Sequence, residues 1–172
     1  MMNFKEYSVK KKRGPREIII SVLLYTLATV LGVVAMLFML AIGLGQFAAL
    51  LLFGFYYLAH IFSTNMNKEF EYAFTSDQIT VDVIMNRSRR KRLIRFDLGD
   101  VEIIAPITDS SYASYSSNHF DKVIDATSRS EYASVYFAVI SKEKQILLKF
   151  EPTHAALNDL YKIAPSKIKI EN

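Results

Sequence analysis

The chain has 172 residues, 51% of them hydrophobic, with a net charge of +4 and no cysteine. The lack of cysteine excludes disulfides, thiolate chemistry and any cysteine-based metal site. The charge is uneven: six basic residues face two acidic ones before residue 18, whereas fifteen of each sign follow from Lys68 onward, so the basic balance is no sign of nucleic-acid binding.

Residues 1–17 read as a basic arm. Lys11, Lys12, Arg13 and Arg16 lie where residues flanking a membrane span hold the cytoplasmic side. Between Glu17 and Lys68 stand 50 consecutive residues without Asp, Glu, Lys or Arg. One spanning helix takes roughly 20 apolar residues, so this run predicts two. The short turn Gly43-Leu44-Gly45-Gln46 divides it, giving a helical hairpin over residues 18–62, with helices near Ile18–Ala41 and Phe47–Phe62. A cleaved signal peptide fits poorly, because the apolar run far exceeds an h-region. Both termini then lie on the cytoplasmic face of a plasma membrane crossed twice. Tyr25, Tyr56 and Tyr57 suit the membrane interface, where a ring is apolar and its hydroxyl wet. Ala28 and Gly32, four apart, suit close helix packing, either within the hairpin or between two copies of the chain. His60 is the one ionisable side chain in the spans and sits near the inner end. That argues against a transporter or channel.

Residues 68–166 alternate apolar and polar residues, the mark of half-buried strands. Phe70, Tyr72 and Phe74 alternate in the first, and Ile79, Val81 and Val83 in the second, with a turn at Thr75-Ser76-Asp77-Gln78. A third strand covers Arg90–Phe96 with Leu93 inward, and Asp97-Leu98-Gly99-Asp100 turns into a fourth, Val101–Ala105. Thr108–Asn118, rich in Ser and Tyr, reads as a long, partly helical loop, either a mobile connection or a functional segment. Strands follow at Lys122–Ala126, Tyr132–Ile140 and Gln145–Glu151. Pro152 opens a helix to about Ala164, with Ala156, Leu157, Leu160, Tyr161 and Ala164 on its apolar face. Residues 167–172 read as a frayed tail.

Seven short strands and one amphipathic helix resemble a pleckstrin-homology-like (PH-like) fold. The blocks Tyr72-Ala73-Phe74-Thr75, Gln78-Ile79-Thr80-Val81 and Asp100-Val101-Glu102-Ile103-Ile104 are similar to the bacterial PH-domain pattern, and the whole chain resembles small two-span bacterial membrane proteins. The resemblance implies an α+β architecture: a transmembrane helical hairpin, then a seven-stranded antiparallel β-barrel or sandwich of two nearly orthogonal sheets, plugged at one end by a C-terminal helix.

The densest chemical feature is Arg87, Arg89, Arg90, Lys91, Arg92 and Arg95. It reads as a solvated hairpin that protects a sheet edge, as a surface for anionic phospholipid, or as a contact for an acidic protein. PH-like domains that bind phosphoinositides use the turn between the first two strands, so that role does not transfer to this cluster. His119 beside Asp121, near the Ser-rich loop, is the one arrangement that suggests hydrolysis, and no G-x-S-x-G elbow accompanies it. No metal, cofactor or nucleotide motif is present. The sequence favours a non-enzymatic membrane-anchored adaptor that binds a protein partner or a second copy; a lipid sensor is the alternative and an enzyme the third reading.

Overall fold

The computed structural model describes residues 5–75, 77–131 and 133–170. Ser76, expected in a turn, Tyr132, expected to open the sixth strand, and the last two residues of the tail lie outside the described residues. The chain forms two compact units, one made of Arg13–Lys68 and one of residues 5–12 with 69–170.

In the first unit, helix α1 covers Pro15–Ala41 and helix α2 covers Ala48–Asn65, joined through a 3₁₀ turn at Gly45–Phe47. Pro15 occupies the first helical turn, where its missing N–H costs nothing. Gly43 ends α1 at φ +75, a conformation that glycine adopts without strain. The Leu44 and Gly43 N–H groups then donate to the Met39 and Leu40 carbonyls, the paired pattern of a Schellman cap. Both helices, counting the 3₁₀ turn with α2, are long and apolar enough to cross a membrane.

Between the helices, Ser21, Ala28 and Gly32 of α1 and Ala48, Ala59 and Ser63 of α2 are buried. A Cβ at Gly32 would stand 2.4 Å from a methyl carbon of Leu52, so the glycine lets the helices close. Polar groups join across the seam: Ser21 Oγ to Ser63 Oγ at 3.1 Å, Thr29 Oγ1 to Tyr56 Oη at 2.8 Å, and Tyr25 Oη to His60 Nδ1 at 3.4 Å. At the open end, Arg13 donates to the Ser63 carbonyl at 3.0 Å and to Asn67 Oδ1 at 2.8 Å, a cation closing the C-terminal end of α2.

Among the described residues, the second unit holds eight strands in two four-stranded sheets, where the sequence suggested seven strands. The extra strand, β1, is Lys5–Lys10, inside the segment read as a basic arm. It pairs antiparallel with β2 (Lys68–Phe74), Tyr7 opposite Tyr72 and Val9 opposite Phe70. Its charges hid its alternation: Lys5, Tyr7 and Val9 are half-buried, and Glu6, Ser8 and Lys10 are exposed. Strands β3 (Gln78–Met85) and β4 (Arg89–Asp97) complete the first sheet in the order β1-β2-β3-β4.

The second sheet has the order β5-β7-β8-β6, with β5 Val101–Pro106, β6 Lys122–Asp125, β7 Tyr136–Ser141 and β8 Gln145–Phe150. It is not wholly antiparallel as expected, because β6 runs parallel to β8. The long 108–121 connection frees β6 from hairpin geometry, and a parallel pair needs such a crossover.

The main core joins Phe70, Tyr72, Phe74, Ile79 and Val81 of the first sheet to Ile104, Tyr136, Ala138, Leu148 and Phe150 of the second. The unit also holds the α-helices α3 (Ser110–Ser116) and α4 (His154–Ile163). Ala156, Leu157 and Leu160 of α4 close the core, and each large side chain so buried contributes roughly 1.5–3 kcal/mol. Thr153 caps α4, its hydroxyl accepting from the Ala156 N–H at 3.2 Å, so Pro152 precedes the helix. Tyr161, expected on the apolar face, is 45% exposed.

Thr108–Asn118 is partly helical, as expected, but packed and not an open loop. Asp109 caps α3, and Tyr112 and Tyr115 pack on Phe137 at ring distances of 5.1 and 6.0 Å. These two rings, with Phe120, cover a second small core of Ala105, Phe137, Val139 and Leu147. Donors on Ser111 and then Lys169 hold the Asp109 carboxyl down to about 2. The tail is docked as far as Ile170, not frayed: the Lys167 carbonyl and Lys169 N–H bracket Ile104, and Ile168 is buried.

A Gly32→Ile substitution places branched carbon against Leu52. Overpacking of this kind costs about 1–3 kcal/mol. The full chain in detergent is expected to melt at a lower temperature than wild type, whereas Gly54→Ile, at a glycine with no neighbour within 4 Å, leaves the melt nearly unchanged.

Candidate functional site

The basic cluster folds as the β3–β4 turn and the length of β4. Val81 pairs with Ile94 and Asp82 pairs with Arg92, so Leu93 is an extra residue, a β-bulge. Strict alternation would put Arg90 and Arg92 on the face of Phe96, in the core. The bulge re-aims them, and Arg90, Arg92 and Arg95 share the outer face with Thr80 and Asp82. It also lets both Leu93 and Ile94 pack against the core.

On that face three carboxylates meet the guanidinium groups. Asp82 is buried to 2% exposure. It accepts from Arg90 Nε at 2.7 Å and from Arg92 Nε at 3.3 Å. Arg90 also pairs with Glu6 at 3.3 Å and with Glu71. A single arginine thus joins β1, β2, β3 and its own β4. Burial pushes the Glu71 carboxyl up, and its hydrogen bond to Glu6 adds to that rise. The same bond, then Arg90, holds Glu6 down. Asp82, foremost, holds the Arg90 proton more tightly than usual. A shallow groove of about 270 Å³ lies on this face, lined by Glu6, Gln78, Asp82, Arg90, Arg92 and Arg95.

The six cations are therefore not equivalent. Arg90 and Arg92 are tied to Asp82, and Arg87 stands 3.5 Å from Glu69. Arg95 donates to the neutral amide oxygen of Gln78. Arg89 and Lys91 have no carboxylate partner among the described residues. Asn86 and Arg87 turn the hairpin with φ of 49 and 54.

Beside β4 lies a second recess of about 250 Å³, between Ile94, Arg95 and Phe96 on one side and Ile140, Lys142, Glu143, Lys144 and Ile146 on the other. Its floor is apolar and its rim charged. Lys142 is engaged by Asp100 at 3.1 Å and Asp97 at 3.7 Å. Those carboxylates, Asp100 first, raise its proton affinity.

The other singled-out residues fall elsewhere. Lys11 stands 5.8 Å from the centre of the Phe70 ring, and the Lys12 N–H donates to the Ser128 carbonyl at 2.7 Å. Arg13 clasps the foot of the hairpin, Arg16 is exposed, and Tyr57 is 66% exposed. Tyr25 and Tyr56 belong to the hydrogen-bonded seam, their rings 6.3 Å apart. Ala28 and Gly32 pack within the hairpin. His119 is exposed, while Asp121 accepts from the Gln145 N–H at 2.8 Å and anchors the start of β8. Ser116 and Ser117 donate to carbonyls of their own helical segment. Among the described residues, no three His, Asp or Glu side chains converge as a metal site.

Sequence reasoning missed the carboxylate network. Its signal was present in Glu69 and Glu71 of β2 and Asp82 of β3, acidic residues on the two strands that precede the basic one in the chain. Glu6 became part of it only once residues 5–10 formed a strand.

Together these features define a class: a PH-like β-domain carrying two long apolar helices. Residues 1–170 match the family described as Bacterial PH-like domain (DUF6106), and the chain belongs to that family. No curated protein and no solved structure matches the chain.

Asp82→Asn removes the buried charge and keeps the shape. Because its arginine partners are half exposed, the expected loss is about 1–2 kcal/mol, below that for a fully buried pair. A lower melting temperature and faster amide exchange across Arg89–Arg92 would report it; an unchanged melt would show that the network contributes little.

Proposed function

We propose that the protein is a non-enzymatic, membrane-anchored adaptor whose PH-like domain binds another protein at the inner face of the plasma membrane. The observation that carries this reading is the place of the hairpin in the chain. It is inserted between β1 and β2, two strands that pair with each other. The domain is therefore tethered covalently at two neighbouring points, so the apolar helices hold it as an anchor holds a platform. The lysines and arginines before α1 support this reading, since such residues flanking a span favour the cytoplasmic side.

The internal pairing of the cluster favours protein binding over lipid sensing. A lipid-reading surface needs cations open to headgroups. Here Arg90 and Arg92 are satisfied by Asp82, and Arg90 by Glu6 and Glu71 as well. The second reading, a sensor of anionic lipid, rests on Arg89, Lys91 and Arg95.

Two measurements test this. Since the chain has no cysteine, single cysteines at Gln46 and at Lys144 report topology through an impermeant maleimide added to intact cells. Labelling of Gln46→Cys but not Lys144→Cys is expected, and the reverse would overturn the orientation. Hydrogen exchange of Arg89–Asp97 in the full chain is expected to be the same in nanodiscs of phosphatidylcholine and of phosphatidylglycerol. Protection that appears only with the anionic lipid and fades with salt would replace the adaptor with the sensor.

A further inference from the structure

We propose that the free edge of β4 is the docking site for an extended acidic segment of a partner protein, which adds to the sheet as a fifth strand and places one large apolar side chain in the recess beside Ile94 and Phe96. The proposal rests on the adaptor reading and names the surface and the chemistry of the partner.

The long edges of the domain are not equally open. At the other end of the first sheet, β1 is six residues long, and the chain just past it is bridged by the Lys12 N–H to the Ser128 carbonyl, while the Lys5 side chain pairs with Asp159. In the second sheet, residues 167–169 cover β5, and β6 is only four residues long. That leaves β4, nine residues with β3 as its one strand neighbour among the described residues. An open edge of that length presents backbone donors and acceptors to a partner strand.

Charge states what the partner must carry. Along this edge Arg89, Lys91, Arg95 and Lys144 have no carboxylate partner among the described residues; Glu143 is the acidic residue in the lining of the recess, and Asp97 and Asp100 beside it are engaged by Lys142. From Arg89 to Arg95 the strand extends roughly 20 Å at about 3.3 Å per residue. Arg89 and Lys91, opposite Met85 and Val83, lie on the face of Ile94 and Phe96, and Arg95 on the other. The cations are thus spread along the edge to meet carboxylates along a chain; a single phosphate headgroup would need them convergent.

Cations alone would be sufficient to protect a sheet edge from aggregation. The recess is what such protection does not require. Its floor of Ile94, Phe96, Ile140 and Ile146 encloses about 250 Å³. That is below the usual range for a small-molecule pocket, ~300–1,000 Å³, and fits the side chain of a docked strand. The bulge at Leu93 divides β4 into a cationic half, Arg89–Arg92, and a half beside the recess, Ile94–Asp97. The fitting segment is divided in the same way, an acidic run next to an apolar residue.

The test uses the full chain in phosphatidylcholine nanodiscs and a fluorescent peptide carrying an acidic run followed by Val-Phe-Val. Saturable binding with slowed amide exchange across Arg89–Asp97 is expected. Replacing the peptide's acids with Gln, or its Phe with Ser, is expected to weaken binding about tenfold or more, a loss near 1.4 kcal/mol. The same loss is expected from the surface pair Arg95→Glu and Lys144→Glu, whose melting temperature is checked alongside. No binding at millimolar peptide, or binding indifferent to these changes, would overturn the site. If the peptide fails but the chain crosslinks in its native membrane to a defined protein through another surface, the site is lost and the adaptor stands. Protection of β4 by phosphatidylglycerol nanodiscs without peptide would overturn both.

Discussion

The pairing of β1 with β2 is the constraint on which the rest depends. Fifty-seven residues separate Lys10 from Lys68, yet Lys10 lies opposite Glu69 in the sheet. Closing so long a loop in a flexible chain is entropically costly. Here most of it is a pair of helices packed on each other, not flexible chain. Tyr7 secures the closure, stacked on Phe74 at 5.8 Å and 3° and tilted against Tyr72 at 5.1 Å. Its hydroxyl donates to the Glu151 carbonyl and accepts from the Thr153 N–H. Burial pushes the proton affinities of both tyrosines up, so both stay neutral hydrogen-bonding groups at physiological pH.

From that pairing follows the chemistry of the outer face. Strand β1 brings Glu6 beside Glu71 and Arg90, and the bulge in β4 turns Arg90 and Arg92 towards Asp82. What remains uncancelled is a row of cations on an open edge beside an apolar recess. The same sequence feature thus serves two ends, one half stabilising the sheet and the other facing outward.

Much was legible in the chain alone. A fifty-residue stretch without charge specifies the paired apolar helices, because a charged side chain is costly in hydrocarbon whatever the tertiary context. Period-two alternation at Phe70, Tyr72 and Phe74 and at Ile79, Val81 and Val83 specifies half-buried strands, and each of these residues is buried. The helix after Pro152 was marked by its own apolar face, although Tyr161 lies outside that face.

Other elements were decided only in three dimensions, each for a physical reason. A strand of Lys, Glu, Tyr, Ser, Val and Lys is too polar to announce itself, and exists because β2 offers it an edge and Phe74 a ring to stack on. The Ser- and Tyr-rich segment is docked, and not a loose connection, because Tyr112 and Tyr115 find Phe137. The tail is ordered because Ile104 offers an edge to Lys167 and Lys169. One bulged residue decides which cations of Arg87–Arg95 are neutralised, and bulge positions follow from how two strands meet. The sequence determined which segments are apolar, which alternate and where the charges stand, since these are local properties of residue type. The tertiary structure decided which charges face one another, because that depends on register, and register is a property of pairs of strands.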